Sequence, residues 1–193
     1  MIIGITGSIG SGKTTVASIF SRQGFLLIDA DEISHSLIRK NRAGYRKVLT
    51  EFGDKILDKN MDIDRKKLGD IVFNDARKLD KLNSLLHPSI GSEIRKKTKK
   101  SKNKDFVLDI PLLIETNAKN LVDKIVLVKS DKRDIFSRLR KKYPREKIEK
   151  ILKNQMPFKQ KLRYADFVVK NDGNDKGLEK QVLEILKKLG KKK

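Results

Sequence analysis

Residues 2–15 read Ile2-Ile3-Gly4-Ile5-Thr6-Gly7-Ser8-Ile9-Gly10-Ser11-Gly12-Lys13-Thr14-Thr15. Ile2 to Thr6 is a short apolar run of the kind that forms a strand covered on both faces. Gly7 to Thr14 then fits G-x-x-x-x-G-K-[ST] in full. Val16, Ala17, Ile19 and Phe20 follow with the spacing of an apolar helical face. Strand, glycine-rich turn and helix are the surroundings in which this motif binds phosphate. The glycines let backbone N–H groups converge on phosphate oxygens with no side chain between. The helix that opens near Lys13 turns its positive end to the same oxygens. The ribbon Gly7, Ser8, Ile9, Gly10, Ser11, Gly12, Lys13, Thr14 and Thr15 is therefore the expected nucleotide cradle. Lys13 is expected to reach the β- and γ-phosphates, and the Thr14 hydroxyl to ligate Mg²⁺.

Outward from this motif, short apolar runs alternate with longer amphipathic ones, the pattern of an α/β fold with a parallel sheet. Further strands are predicted at Phe25 to Asp29, Phe106 to Asp109, Lys124 to Val128 and Phe167 to Val169. The run Leu178, Val182, Leu183, Ile185, Leu186 and Leu189 predicts a closing helix, with Gly190 to Lys193 as a frayed tail. Between the second and third strands, roughly Glu32 to Lys104, the chain is too long for one crossover. Helical patterns at Ile33 to Arg39, Tyr45 to Phe52, Lys67 to Phe73 and Leu79 to Leu86 predict a helical insertion there. The basic run Lys96 to Lys104 reads as a solvated helix end and loop. A second basic helical stretch, Asp131 to Gln155, is interrupted at Tyr143-Pro144, since proline disfavours helix in the residue before it. Two helices joined by a bend make a lid.

Composition narrows the chemistry. The chain has 193 residues and no cysteine, which excludes a disulfide scaffold, thiolate metal sites and a cysteine nucleophile. The 46 basic and 25 acidic residues leave a formal charge of +21, a field that favours anionic partners. No apolar stretch approaches the ~18 residues needed to span a bilayer. The first residues lack the basic region of a signal peptide, so a cytoplasmic location is expected and no membrane partner. The charge also suits nucleic acid. Against that partner, the basic runs carry no aromatic stacking platform and tryptophan is absent.

Acids stand at the ends of two predicted strands. In open α/β sheets the ligand crevice lies at the carboxyl ends of the strands. Asp29 and Asp31 therefore fall where a phosphoryl acceptor needs a carboxylate to orient its hydroxyl and take its proton. Asp31 has a structural alternative as N-cap of a helix beginning near Glu32. Asp109 ends the third strand as a metal-holding aspartate would, with a turn role beside Pro111 as its alternative. His35 reads as a helix-surface residue. His87 precedes Pro88 and is expected at a helix break. Lid cations Arg138, Arg140, Lys142, Arg145 and Lys147 are placed to meet phosphates or to stay solvated.

These pieces together resemble the dephospho-CoA kinase family. The order is the phosphate loop, Ile28-Asp29-Ala30-Asp31, Leu86-His87-Pro88, then Asp109-Ile110-Pro111-Leu112-Leu113-Ile114-Glu115. Gln155-Met156, Lys161, Ala165-Asp166 and Asn171-Asp172-Gly173 extend the likeness over nearly the whole chain. The resemblance implies a P-loop NTPase fold: a three-layer α/β/α domain with a five-stranded parallel sheet, a helical acceptor-binding insertion (about 32–104) and a helical lid (about 131–155). It implies transfer of the ATP γ-phosphate to the 3′-hydroxyl of the ribose of dephospho-CoA, with Mg²⁺. By the same resemblance Asp31 is the base, Lys13 and Arg138 act on the transferred phosphate, and Thr14 and Asp109 serve the metal. Asn171 and Gly173 border the adenine. His87, Leu112 and Glu115, with Asp31, lie on the acceptor side. One departure concerns the lid. The family often carries Arg-Asp four positions after the lid arginine, where this chain has Lys142-Tyr143. Lysine keeps the charge and loses the bidentate fork, so Arg138, Arg140 and Arg145 all remain candidates for the lid role. Two other readings use the same scaffold: another small kinase acting on a nucleoside or nucleotide, and a basic phosphate-loop protein that binds nucleic acid. A nucleotide switch is weaker, because no guanine-selecting Asn-Lys-x-Asp is present.

Overall fold

The computed structural model describes residues 1–101, 103–116 and 118–191. Lys102 of the basic run and Lys192 and Lys193 of the expected tail lie outside the described residues. In chain order the elements are β1 (Ile2–Gly7), α1 (Lys13–Arg22), β2 (Leu26–Asp29), α2 (Ala30–Leu37), α3 (Ala43–Phe52), α4 (Arg65–Phe73), α5 (Ala76–Lys100), β3 (Phe106–Asp109), β4 (Lys124–Lys129), α6 (Lys132–Leu139), α7 (Arg145–Lys153), α8 (Phe158–Lys161), β5 (Phe167–Lys170) and α9 (Asp175–Lys188). The strands form one five-stranded sheet in the order β2-β3-β1-β4-β5, and every neighbouring pair is parallel. The architecture is the α/β fold with a parallel sheet that the sequence pattern predicts, in the three-layer, five-stranded form that the family resemblance implies.

The chain divides into two compact units, Met1–Asp29 with Ser101–Lys193, and Ala30–Lys100. In the first, the alternation of the strands sets the core. Ile3, Ile5, Val107, Val126, Val128 and Val169 point to one face of the sheet. There they pack with Val16, Ile19 and Phe20 of α1 and Leu178, Val182 and Ile185 of α9. Burying each such side chain contributes roughly 1.5–3 kcal/mol, so this face holds the sheet and both helices as one body. The edge strand β5 is protected by Gln181, whose side chain accepts the Lys170 N–H at 2.8 Å and donates to the Lys170 carbonyl at 2.9 Å. That contact satisfies an exposed sheet edge. Lys191, expected in a frayed tail, instead ion-pairs with Asp105, which also accepts the Met1 amino group at 2.9 Å. The pairing ties the chain beyond α9 to the start of β3. No described helix is long and apolar enough to cross a membrane.

The second unit is helical. Ile38, Val48, Phe52, Ile56, Leu68, Val72 and Leu86 form its core. Asp64 caps α4 by accepting the Lys66 and Lys67 N–H groups at 2.8 and 3.1 Å. One expectation and one structural alternative fail here. The helix break at His87-Pro88 is absent, since α5 runs 25 residues with Pro88 inside it. A proline in a helix interior costs about 3 kcal/mol. However, Leu79, Leu82, Leu86 and Ile90 lie on one stripe that crosses this point and packs into the core. Pro88 and Ser84, the residue whose carbonyl lacks its usual donor, are both exposed, so water is at hand for that carbonyl. Nor does Asp31 cap a helix from Glu32. The helix α2 starts at Ala30, directly after β2, and Asp31 is an exposed acid in its first turn. A negative side chain there is favoured by the helix dipole.

Burial holds the pKa of His87 below 6.5. The unfolded chain takes up a proton near the ordinary value while folded His87 still refuses it. Stability is therefore full above pH 6.5 and falls as the pH drops through the window just below. An NMR titration is expected to place the His87 midpoint under 6.5, and His87→Gln to flatten the denaturant-measured slope in that window. A midpoint at or above the ordinary value would contradict this.

Candidate active site

The sheet delivers its functional residues to one edge. Register pairs Asp109 with both Ile5 and Asp29, and Gly7 with Val128. The phosphate loop therefore leaves the central strand beside the aspartates that end β2 and β3. The chain leaves β1 toward β2 and leaves β3 toward β4, on opposite sides. The loop thus rises at a switch point, where open α/β sheets bind ligands.

Within the loop, the Ser11 N–H donates to the Ser8 carbonyl at 3.1 Å. Gly10 and Gly12 take φ of 71° and 90°, a region that side chains disfavour. Close packing constrains both as well. A Cβ at Gly12 would lie 2.0 Å from Asn171 Nδ2, and one at Gly10 would lie 2.9 Å from Leu139 Cγ of α6. Lys13 is 8% exposed, and its Nζ donates to the Ser8 carbonyl at 3.1 Å. The ammonium thus arches back over the turn. Thr14 and Thr15 are exposed at the start of α1. The Thr14 hydroxyl donates to Asp109 Oδ2 at 3.0 Å.

Three further groups hold the loop from outside. Asn171, buried at the end of β5, donates from Nδ2 to the Ser11 carbonyl at 2.8 Å. Its Oδ1 accepts from Arg138 Nη2 at 3.2 Å and from the Gly173 N–H at 3.1 Å. Arg138 Nη1 donates to the Gly10 carbonyl at 3.0 Å and to Ser130 Oγ at 2.9 Å. The guanidinium of α6 is thereby fixed on the loop. Gln155, just beyond α7, accepts the Ile9 N–H on Oε1 at 3.0 Å. Apolar contacts follow the same route: Ile135, Leu139 and Ile148 pack with Ile9. The stretch 131–155 is two helices with a bend at Tyr143-Pro144, as predicted.

Gly7 to Thr15, Asp29, Asp109, Arg138 and Asn171 meet at this end of the sheet, and two predicted residues carry side-chain partners that the sequence does not announce. Asn171, expected beside an adenine, spends its side chain on the loop and on Arg138. Glu115, expected on the acceptor side, has Oε1 engaged by Lys161 Nζ at 2.7 Å and by the Met156 N–H at 3.2 Å. Leu112 lies in the same turn after β3. Asp31 and His87 belong to the helical unit, on α2 and α5. Gln155 and Ser130 carry no expected role in the sequence reading. Their partners lie 146 and 8 positions away, and no local pattern announces either contact.

The donor set suits Mg²⁺. A hydroxyl and a carboxylate oxygen, Thr14 Oγ1 and Asp109 Oδ2, already meet, and both are hard oxygen ligands. Among the described residues no group of three or more His, Cys, Asp or Glu could hold a metal. Mg²⁺ is suited to a site of one or two protein oxygens completed by phosphates and water.

A family model described as dephospho-CoA kinase matches residues 1–176. The chain is 42% identical over 192 residues to a dephospho-CoA kinase of Carboxydothermus hydrogenoformans, covering 97% of this chain and 93% of the relative. It is 40% identical over 184 residues to one from Fusobacterium nucleatum, covering 94% and 95%. Among solved structures, the dephospho-CoA kinase of Campylobacter jejuni superposes with a TM-score of 0.69 at 30% identity, covering 98% of this chain and 97% of that one. A phosphate loop braced by an arginine and an asparagine, beside a threonine–aspartate pair, thus sits in a chain that one kinase-family model matches over residues 1–176. The chain belongs to the dephospho-CoA kinase family.

Proposed function

We propose that this protein transfers the γ-phosphate of ATP to the 3′-hydroxyl of the ribose of dephospho-CoA, giving coenzyme A and ADP. The observation that carries the reading is the 3.0 Å contact of Thr14 with Asp109 beside Lys13, in a chain matched by the family model over residues 1–176. In the transfer, the bond from the 3′-oxygen to the γ-phosphorus forms and the bond from that phosphorus to the ADP oxygen breaks. Asp31 is the carboxylate that orients the hydroxyl and accepts its proton. Backbone N–H groups from Gly10 to Thr14 hold the β-phosphate. Lys13 offsets charge that develops on the transferred group, and Arg138, which donates to the Gly10 carbonyl, is the lid cation assigned to the same task. Mg²⁺ held by Thr14 and Asp109 would neutralise phosphate charge. His87 and Leu112 serve the acceptor side, and Gly173 the adenine. Excluding water matters, because water is a competing acceptor. That task falls to α6 and α7.

The direct test supplies purified protein with ATP, Mg²⁺ and dephospho-CoA, with adenosine, AMP and no acceptor as controls, and reads the product by mass. Coenzyme A formed only with dephospho-CoA is the expected result. Turnover with adenosine or AMP alone would assign a neighbouring kinase activity instead. Asp31→Asn is expected to lower kcat by about 10²–10⁴-fold, the usual contribution of a positioned base, while ADP still binds. Unchanged turnover would remove Asp31 from that role. Gly12→Ala is expected to abolish measurable ADP binding, because the new Cβ meets the Asn171 amide at a strained φ. Calorimetry with ADP checks it.

A further inference from the structure

Lys161 sits on α8 with its side chain only 1% exposed, and its Nζ lies 2.7 Å from Glu115 Oε1. A cation at that depth is tolerated only with a partner, and removing Glu115 alone would strand it. Glu115 Oε2 is closed off from solvent. Only Oε1 of the carboxylate is engaged, since Oε2 makes no hydrogen bond among the described residues. The oxygen that meets Lys161 also accepts the Met156 N–H at 3.2 Å. Met156 follows Gln155, whose Oε1 accepts the Ile9 N–H of the phosphate loop at 3.0 Å. The segment between α7 and α8 is held on both sides: the Gln155 N–H donates to the Leu152 carbonyl at 3.3 Å, and Pro157 fixes φ at −58°. A continuous path therefore runs from a buried ion pair, through one peptide unit, to an amide in the loop.

We propose that Gln155 is a positioning residue for nucleotide phosphate, seated by the Glu115–Lys161 pair acting on the Met156 N–H. The Ile9 N–H precedes the amides from Gly10 to Thr14 that face the ligand. Gln155 takes up that N–H from outside and so holds the curvature of the turn. A loop held in its binding shape loses less freedom when a ligand arrives. The ion pair fixes where Gln155 stands, and Gln155 fixes the loop. This rests on reading Gly7 to Thr14 as the nucleotide phosphate site.

The test is calorimetric binding of ADP with Mg²⁺ to the full chain, paired with the Tm of each variant. Gln155→Ala is expected to weaken ADP about five- to tenfold, the effect of one net hydrogen bond, with little change in Tm. Glu115→Leu combined with Lys161→Met removes both charges and the acceptor for Met156. It is expected to weaken ADP to a similar degree. Adding Gln155→Ala to that pair is expected to cost no further affinity. Glu115→Gln with Lys161→Met keeps an acceptor for Met156 and is expected to restore affinity to within about twofold of wild type, since a neutral acceptor still makes the bond. A purely structural pair would lower Tm and leave ADP binding alone, and that result overturns the proposal. Strictly additive losses overturn the route through Gln155. Unchanged binding in Gln155→Ala overturns the role of Gln155 even where the charge-pair variants do not fold. Failure of the wild-type protein to bind ADP would instead overturn the phosphate-site reading on which the proposal stands.

Discussion

The turn from Gly7 to Gly12 must keep its interior clear for phosphate, so it cannot be held by side chains of its own. Its shape is imposed from outside. Asn171 reaches the Ser11 carbonyl from the end of β5, Arg138 reaches the Gly10 carbonyl from α6, and Gln155 takes the Ile9 N–H. Each contact is worth only about 1 kcal/mol net. Together they make the loop depend on the placement of β4, β5 and the two helices after β4. That dependence explains the glycines better than backbone freedom alone. At Gly12 the space a side chain would need belongs to Asn171, and at Gly10 it belongs to Leu139.

The sheet core serves this requirement. Packing of α1 and α9 on one face fixes the strands against each other. Parallel register then brings Gly7, Asp29 and Asp109 to the same end of the sheet. The Thr14–Asp109 contact follows from that register, because α1 begins where the loop ends. The charge of +21 plays a smaller part in the site than its size suggests. Lys13, Arg138 and Lys161 have specific oxygen partners, whereas exposed pairs such as Arg145 with Glu149 contribute little.

Much of the fold was legible in the residue order. The strands fall within a residue of their predicted limits, because short runs of Ile, Val, Leu and Phe leave a clear local pattern, even in the outer strands where Leu26, Leu27 and Val168 stay exposed. The bend at Tyr143-Pro144 was legible for the same reason, being a local steric rule. The same rule misled at His87-Pro88. There the stripe through Leu86 and Ile90 has enough core to bury that the helix continues past its proline. Asp31 shows a similar limit. Its residue type and its place after a strand were readable, whereas the start of α2 at Ala30 depends on how the chain leaves β2.

Residue order alone carries the phosphate loop, the parallel α/β class, the strand-end acids and the kinase family. Each of these is written in short windows where residue type and spacing carry the physics. Packing in three dimensions sets the rest: Asn171 braces the loop, Glu115 pairs with the buried Lys161, and Gln155 holds Ile9. Those contacts join residues 160, 46 and 146 positions apart. At such separations spacing along the chain says nothing about distance, and the partner is chosen by the packing of sheet and helices.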